Sequence, residues 1–380
     1  MPRIAWAAGE ASGDLIAAPV VADLAGSPLG VQQAGIGGPA MSKAGLQTWV
    51  GIDQLSVRGY AEVLRELPRL LKLRRDIGRR ILAWQPNLFI GVDAPDFNLG
   101  LARRLRRDGV RTMHFVGPSV WAWRAKRLER IRQSVDHMLL IFPFEKPLYD
   151  AAGIPATYVG HPLADAIDPD RLPCAQTRAA LGLDPGAPTI CLMPGSRGSE
   201  IRYMAALFAD TVRWLMQMKA DLRFVLPAAN QALAVELRGS LGDLLEPAGG
   251  PVTLLEGRSH EAIAAADAVL VASGTATLEV ALLRKPMVIT YRMSPLSYRL
   301  MRRMALQPWV GLPNILCGES VVPELLQEQA TPQSLGQALL GMLEPATRDR
   351  IASRLASLRD SMAIGCARRA ALAIQAELSR

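Results

Sequence analysis

Thr189-Ile190-Cys191-Leu192-Met193-Pro194-Gly195-Ser196-Arg197-Gly198-Ser199-Glu200 lies near the middle of the chain and decides how the rest is read. A short apolar run ends in a loop of glycines, serines and one arginine. A helical pattern follows, with Met204, Leu207, Phe208, Thr211 and Leu215 on one face. Strand, small-residue loop and helix in that order is how α/β proteins build an anion site. Loop N–H groups approach phosphate oxygens, and the helix N-terminus adds its partial positive charge. Arg197 adds a forked cation suited to a diphosphate. The Gly-Lys-Ser/Thr ending of a P-loop is missing. An ordinary βα turn with a solvated Arg197 accounts for the same residues, and this stretch alone does not separate the two.

Composition narrows the class. The chain has 380 residues, half of them hydrophobic, which is enough for two domains with full cores. A formal net charge of +8 favours acidic partners: phosphorylated ligands, nucleic acid or an anionic membrane surface. The four cysteines (Cys174, Cys191, Cys317 and Cys366) include no Cys-x-x-Cys pair and fit neither a zinc site nor a disulfide framework, so a reducing cytosol is expected. The histidines (His114, His137, His161 and His260) lack metal-ligand spacing, and neither a metal nor another cofactor is expected. Glu10 and Asp14 interrupt the only apolar start, so no signal peptide is read there. Runs such as Met138 to Phe142 are too short to span a bilayer.

From the N-terminus, Arg3 to Ala8 reads as a buried strand. Gly9 to Asp14 forms a tight loop, and a helix runs from about Leu15 to Leu24. The glycines of that loop are four apart and do not make a dinucleotide fingerprint. Gly35-Ile36-Gly37-Gly38-Pro39 reads as another small-residue loop. Val57 to Ile81 differs from the rest. Val63, Leu67, Leu70, Ile77 and Ile81 recur at helical spacing among eight arginines and lysines and three acids. Pro68 is expected to divide it into two helices. A basic, leucine-rich helix binds membrane surfaces, although a core-facing helix with a solvated basic face has the same pattern.

Further strands are expected at Asn87 to Val92, Arg111 to Val116 and Met138 to Phe142, and a short helix at Glu145 to Ala151. In an open parallel sheet, ligands sit outside the carboxyl ends of the strands. Asp93 and Asp96 fall there, where one can take a proton from an attacking hydroxyl, or Asp96 can instead cap a helix. Trp121 and Trp123 offer an apolar wall with polar tips. The Pro-, Asp- and Gly-rich span Asp165 to Pro188 reads as an interdomain linker. Strands at 189–193, 222–226, 252–255, 268–272 and 287–291 then alternate with helices, and a last helical stretch runs from Thr347 to Leu378. Ser273-Gly274-Thr275-Ala276-Thr277-Leu278-Glu279 repeats the central design. Ser273, Thr275 and loop N–H groups can bind a diphosphate, and Glu279 can accept both hydroxyls of a ribose or simply face the helix dipole.

Together these segments resemble the lipid-A-disaccharide synthase family of inverting glycosyltransferases. The resemblance is carried by Gly9 to Asp14, Gly91 to Asn98, Pro118-Ser119-Val120-Trp121-Ala122-Trp123-Arg124, Pro143-Phe144-Glu145-Lys146, Gly160-His161-Pro162, Pro194 to Glu200, Ser273 to Glu279 and Leu312-Pro313-Asn314. The family usually has serine where this chain has Gly117. The resemblance implies an α/β GT-B fold of two Rossmann-like doubly wound domains facing across a cleft. Residues 1–165 would be the acceptor and membrane-facing domain, and 166–346 the UDP-sugar-binding domain. Residues 347–380 would be a helical segment that crosses back or meets a partner chain, with a homodimer left open.

The implied reaction moves a 2,3-diacylglucosamine unit from UDP onto 2,3-diacylglucosamine 1-phosphate. Asp96 matches the family's proposed base and Arg197 its phosphate-side arginine. Glu279 matches the ribose-binding acid, and Asn314 a nucleotide contact. Ser12, Asp93, His161, Ser196, Ser273, Gly274 and Thr275 are expected to support substrate binding. Acylated substrates imply peripheral contact with the inner face of the bacterial inner membrane, through about residues 57–81 and from the cytoplasm. Two rivals are weighed against this. One is a UDP-sugar 2-epimerase of the same architecture. The other is a non-catalytic nucleic-acid-binding or nucleotide-sensing module, for which the arginines supply no recognised motif.

Overall fold

The computed structural model describes residues 1–55, 60–118, 127–196, 198–245, 250–304 and 306–379, with the backbone alone at 60–65, 199, 295–297, 300 and 304. Two compact units form. Met1–Asp165 and Met362–Arg380 make one, and Ala166–Ser361 the other.

The first unit is built on seven strands: β1 (Arg3–Ala8), β2 (Gln32–Gly37), β3 (Gln47–Gly51), β4 (Leu88–Val92), β5 (Arg111–Phe115), β6 (His137–Leu140) and β7 (Ala156–Tyr158). Their order is β3-β2-β1-β4-β5-β6-β7, and every pairing is parallel. Parallel sheets need helical crossovers that cover both faces, so their central strands are apolar throughout. β4 is buried along its whole length, as are Ile4 to Ala8 of β1. Helices Tyr60–Trp84 and Pro95–Arg107 contribute Ile77, Ile81, Leu101 and Leu105 to the core.

Two expectations fail here. Gly35 to Gly37 belong to β2 and not to a loop. A Cβ on Gly35 would lie 2.0 Å from the Trp6 carbonyl oxygen, so glycine is needed for close approach to β1 and not for a turn. Pro68 also does not divide its segment, because one helix runs from Tyr60 to Trp84 through it. An interior proline costs roughly 3 kcal/mol. Burial of Ile77 and Ile81 offsets that at roughly 1.5–3 kcal/mol per side chain.

The second unit holds β8 (Thr189–Met193), β9 (Arg223–Ala228), β10 (Val252–Glu256), β11 (Ala268–Ala272), β12 (Met287–Tyr291) and β13 (Glu324–Leu326). The order is β10-β9-β8-β11-β12-β13, again parallel throughout. Each sheet therefore winds outward from its first strand in both directions, with switch points between β1 and β4 and between β8 and β11. The span expected as a linker carries a helix of its own, Cys174–Leu181. Arg178 fixes that helix by donating to the carbonyls of Ala265 (2.8 Å) and Pro185 (3.0 Å) and to Asp267 (2.6 Å).

The last helical stretch is two helices, Pro345–Met362 and Cys366–Leu378. Gly365 breaks it at φ +79°. The Asp165 carboxylate accepts the N–H groups of Gly365 (3.0 Å) and Cys366 (2.5 Å), capping the second helix from across the first unit. Arg368 meets Asp23 at 3.1 Å and Gln375 donates to Ser27 at 3.0 Å, so the chain's end returns to the first unit.

Asp14 does similar work. It is 4% exposed and accepts the N–H groups of Gly38 (2.8 Å), Ala40 (2.9 Å) and Met41 (3.0 Å) at the start of helix Pro39–Lys43. Asp14→Ala leaves those donors unmet and is expected to cost the first unit about 2–4 kcal/mol. Urea unfolding followed by a first-unit tryptophan signal measures it, and an unchanged midpoint contradicts the assignment.

Candidate functional site at the two switch points

In the first unit the chain after β1 meets the loop after β4; the stretch Gly9 to Asp14, expected as a loop, is helical from Ala11, so Ser12 and Gly13 lie in the first turn of helix Ala11–Ala25. A Cβ on Gly9 would lie 2.0 Å from the Ala94 Cβ, and one on Gly13 would lie 3.3 Å from the Val92 carbonyl oxygen. Ser12 Oγ donates to Asp93 Oδ2 at 3.2 Å, so the structure brings these two expected residues together. Asp93 and Ala94 both have left-handed backbones, at φ +53° and +40°. Such conformations cost of order 1–3 kcal/mol each and persist where surrounding contacts over-determine them. Here that contact is Asn98. It is fully buried, and its amide nitrogen lies at 3.0, 3.2 and 2.9 Å from the carbonyls of Ala7, Val92 and Asp93. Asn98 stands in the motif that carried the resemblance, yet its clamping role was not read from the sequence.

Asp96 is the second residue of helix Pro95–Arg107, with Ala94 at the N-cap, so Asp96 is not the cap. Its carboxylate is 75% exposed, with Arg127 at 3.4 Å and Arg130 at 3.7 Å. Exposed pairs of this kind stabilise little, about 0–1 kcal/mol, but they orient the group. His161 is buried after β7. Its Nδ1 accepts from the Leu163 N–H at 3.2 Å, and its ring tilts against Phe142 at 5.3 Å. Among the described residues, neither Asp96 nor His161 shares a hydrogen bond with the Ser12–Asp93 pair.

In the second unit the loop after β8 differs from expectation. Gly195 is left-handed at φ +131°, and a Cβ there would lie 2.7 Å from Glu200. Glu200, in the first turn of helix Gly198–Met218, accepts the Ser196 N–H at 3.0 Å. That N–H, expected for phosphate, is engaged by a carboxylate in a capping-box manner. Arg197 lies outside the described residues, as do Trp121 and Trp123.

The loop after β11 is open. Gly274 has nothing within 4 Å of where a Cβ would stand, and Thr275 is exposed. Ser273 Oγ donates to the Val310 carbonyl at 3.2 Å. Glu279 is half-buried, and its Oε2 lies 3.0 Å from Nε2 of His260, which comes from helix Ser259–Ala265 after β10. The sequence weighs His260 only for metal-ligand spacing, not for this contact. Its signal is its place just beyond a strand end on the ligand edge.

Asn314 is fully buried. Nδ2 donates to the Val322 carbonyl (2.9 Å) and Glu324 Oε1 (2.8 Å), while Oδ1 accepts from Val321 N–H (2.8 Å) and Val322 N–H (3.0 Å). All four hydrogen-bonding positions of its amide are filled, so the nucleotide contact expected of this side chain has no free group to make it. Glu324 also accepts the N–H groups of Val310 (2.8 Å) and Gly311 (3.0 Å), tying Asn314 to the segment on which Ser273 rests.

Solved structures place this architecture. A putative UDP-N-acetylglucosamine 2-epimerase from Listeria monocytogenes is similar with a TM-score of 0.67 at 14% identity, over 100% of this chain and 96% of that one. MurG from Acinetobacter baumannii is similar with a TM-score of 0.60 at 15% identity, over 99% of each. The fold is GT-B, two Rossmann-like domains of parallel sheet. Sequence narrows the class further. The lipid-A-disaccharide synthetase family matches over residues 4–373. The lipid-A-disaccharide synthase of Verminephrobacter eiseniae is 50% identical over 370 residues, 95% of this chain and 93% of the relative. That of Thiobacillus denitrificans is 50% identical over 370 residues, 97% of each. The chain belongs to the lipid-A-disaccharide synthase family, and the epimerase rival shares only its fold.

Burial sets the protonation of two first-unit histidines. It lowers His161 to about 4, and His114, opposed weakly by the Val116 backbone, also to about 4. Unfolded, each titrates near 6.5. The unfolded chain therefore binds more protons between those values. The stability from the neutral imidazoles is complete above about 6.5 and is lost as pH falls towards 4. The slope approaches roughly 1.4 kcal/mol per pH unit for each imidazole. Urea unfolding of the first unit is expected to weaken already between pH 6.5 and 5, with His161→Gln flattening about half the slope. A profile flat over that window contradicts this.

Proposed function

We propose that the chain transfers the 2,3-diacylglucosaminyl unit of its UDP donor to the 6-hydroxyl of 2,3-diacylglucosamine 1-phosphate, with inversion. The acceptor O6–H proton passes to a carboxylate as O6 attacks the anomeric carbon. The bond from that carbon to the diphosphate breaks, releasing UDP and the β-1,6-linked disaccharide 1-phosphate. The observation that carries this is family membership at 50% identity over almost the whole chain. The test is incubation with both lipid substrates and mass analysis for the disaccharide. UDP-N-acetylglucosamine epimerised in place of that product would favour the rival.

Asp96 is assigned as the base. It is exposed at the end of β4, oriented by Arg127 and Arg130, and free of a capping duty. Ser12, from the first turn of helix Ala11–Ala25, braces the Asp93 loop, and His161, neutral at physiological pH, serves as a fixed polar wall. In the second unit Ser196, Arg197 and the Ser273-Gly274-Thr275 loop are assigned to the diphosphate, where charge develops on leaving. Glu279, steadied by His260, is assigned to the ribose hydroxyls. Asn314 supports this site through the Glu324 network and does not touch the nucleotide. No helix among the described residues is long and apolar enough to cross a membrane. Acylated substrates are then met at the cytoplasmic membrane surface by helix Tyr60–Trp84, whose Leu67 and Leu71 are 44% and 42% exposed.

Asp96→Asn is expected to lower turnover at least about a hundredfold with UDP affinity nearly unchanged, since a base acts chiefly in the transition state. Arg197→Ala should lower turnover and also weaken UDP binding by about ten- to a hundredfold, the range of a charged hydrogen bond. Calorimetry with UDP and a product assay separate the two. Near-normal turnover in Asp96→Asn would transfer the role to Asp93, Glu10 or His161.

With cationic side chains and loop N–H groups assigned to the diphosphate, turnover should persist in excess chelator. Loss of activity in chelator that magnesium or manganese restores would overturn that assignment.

A further inference from the structure

The second unit carries a cationic element that the proposed reaction does not use. Helix Pro295–Met304 follows β12 and bears Arg299, Arg302 and Arg303. Spaced at i, i+3 and i+4, the three share one helix face. All three are exposed and line a recess of about 310 Å³. None meets a carboxylate within 4 Å among the described residues. In the basic helix of the first unit, Arg69 pairs with Glu66 and Arg79 with Asp76. Just beyond the three arginines, Leu306 is 55% exposed. β12 lies beside β11 in a parallel sheet, so this helix begins on the same edge as the Ser273–Thr275 loop.

We propose that Arg299, Arg302 and Arg303 form an anionic-membrane contact on the second unit, binding phospholipid headgroups with Leu306 entering the interface. The inference rests on the reading that the substrates are acylated and met at a membrane. It adds that the donor-binding unit has its own attachment. The chemistry recognised is the phosphate ester anion, and three features favour a bilayer over a discrete soluble phosphate. The arginines are exposed and not backed by carboxylates that would fix a fork geometry. No described loop N–H group joins them. An exposed apolar side chain, Leu306, follows three residues after Arg303 in sequence, which a bilayer can accept and a soluble phosphate cannot. An attachment on the donor-loop edge keeps those loops facing the surface from which an acylated UDP-sugar arrives.

The test compares the full chain with the triple variant Arg299→Gln, Arg302→Gln, Arg303→Gln. Partition is measured on phosphatidylcholine vesicles with and without phosphatidylglycerol. Each basic residue near an anionic surface contributes roughly fivefold to partition, so the triple variant should lose about a hundredfold on anionic vesicles at low salt. UDP affinity and the melting curve should not move. The matching triple lysine variant should keep most of the binding, because a bilayer responds to charge and not to fork geometry. Unchanged partition of the glutamine variant overturns the inference. If Leu67→Ser, Leu70→Ser, Leu71→Ser abolishes partition in that case, the membrane reading stands and only this contact falls. A full chain that ignores every vesicle sinks both. Saturable binding of inorganic phosphate that the lysine variant loses, with vesicle partition unaffected, would make the recess a discrete phosphate site and overturn the bilayer assignment.

Discussion

The chemistry proposed for this chain depends on where two parallel sheets change their direction of winding. A parallel strand must be followed by a crossover, and crossovers on either side of the first strand leave in opposite directions. Between β1 and β4, and between β8 and β11, the outgoing loops are therefore not covered by a neighbouring helix. Side chains and N–H groups at those two strand ends can face a ligand. Asp93, Asp96 and Ser12 stand at the first such place, and Ser196, Ser273 and Thr275 at the second.

The strand positions were legible because buried parallel strands are short apolar runs with little else to be. β8, β11 and β12 fall at 189–193, 268–272 and 287–291 as read. β2 was not legible, since Gly35 and Gly37 serve contact with Trp6 and helix Pro39–Lys43 but look like turn residues. The unbroken helix through Pro68 was not legible either, because a local rule was overridden by burial of side chains about two and a half and three and a half turns away. At the sites, residue types and loop positions could be read, but partners could not. Asn98, His260 and Glu324 act through groups 5 to 91 residues distant in sequence, which no spacing rule reaches.

Buried amides illustrate how a motif residue comes to look like a ligand contact. Asn98 and Asn314 each lie just inside a helix near a strand end, where a nucleotide contact is plausible by position. Asn98 instead spends its amide nitrogen on three backbone carbonyls, while its buried Oδ1 has no partner among the described residues, and Asn314 spends its whole amide on backbone and Glu324. An amide offers two donors and an acceptor with two lone pairs, and leaving them unmet in an interior costs about 1–3 kcal/mol. Asn314 therefore holds Val321 and Val322, and with Glu324 it fixes the Val310–Gly311 segment that receives Ser273. Loss of Asn314 would reach the donor loop through three bonds of structure without any contact to a nucleotide.

The two switch points also differ in how closely their loops are held. In the first unit the loop is constrained before any ligand arrives. Asp93, Ala94 and Val116 are left-handed, at φ +53°, +40° and +71°, and Val116 is β-branched, for which that region is rare. Sheet pairing and Asn98 hold this conformation, so in the proposed reaction the acceptor hydroxyl meets a loop that need not reorganise. In the second unit Gly274 faces open space and Thr275 is exposed, while the fixed points, Ser273 and Glu279, flank them. In the proposed reaction, a diphosphate bound there would fix this exposed loop at some cost in binding free energy. The arrangement suits the proposed chemistry. A base must be correctly placed at the moment of proton transfer, whereas a leaving group must be held and then released.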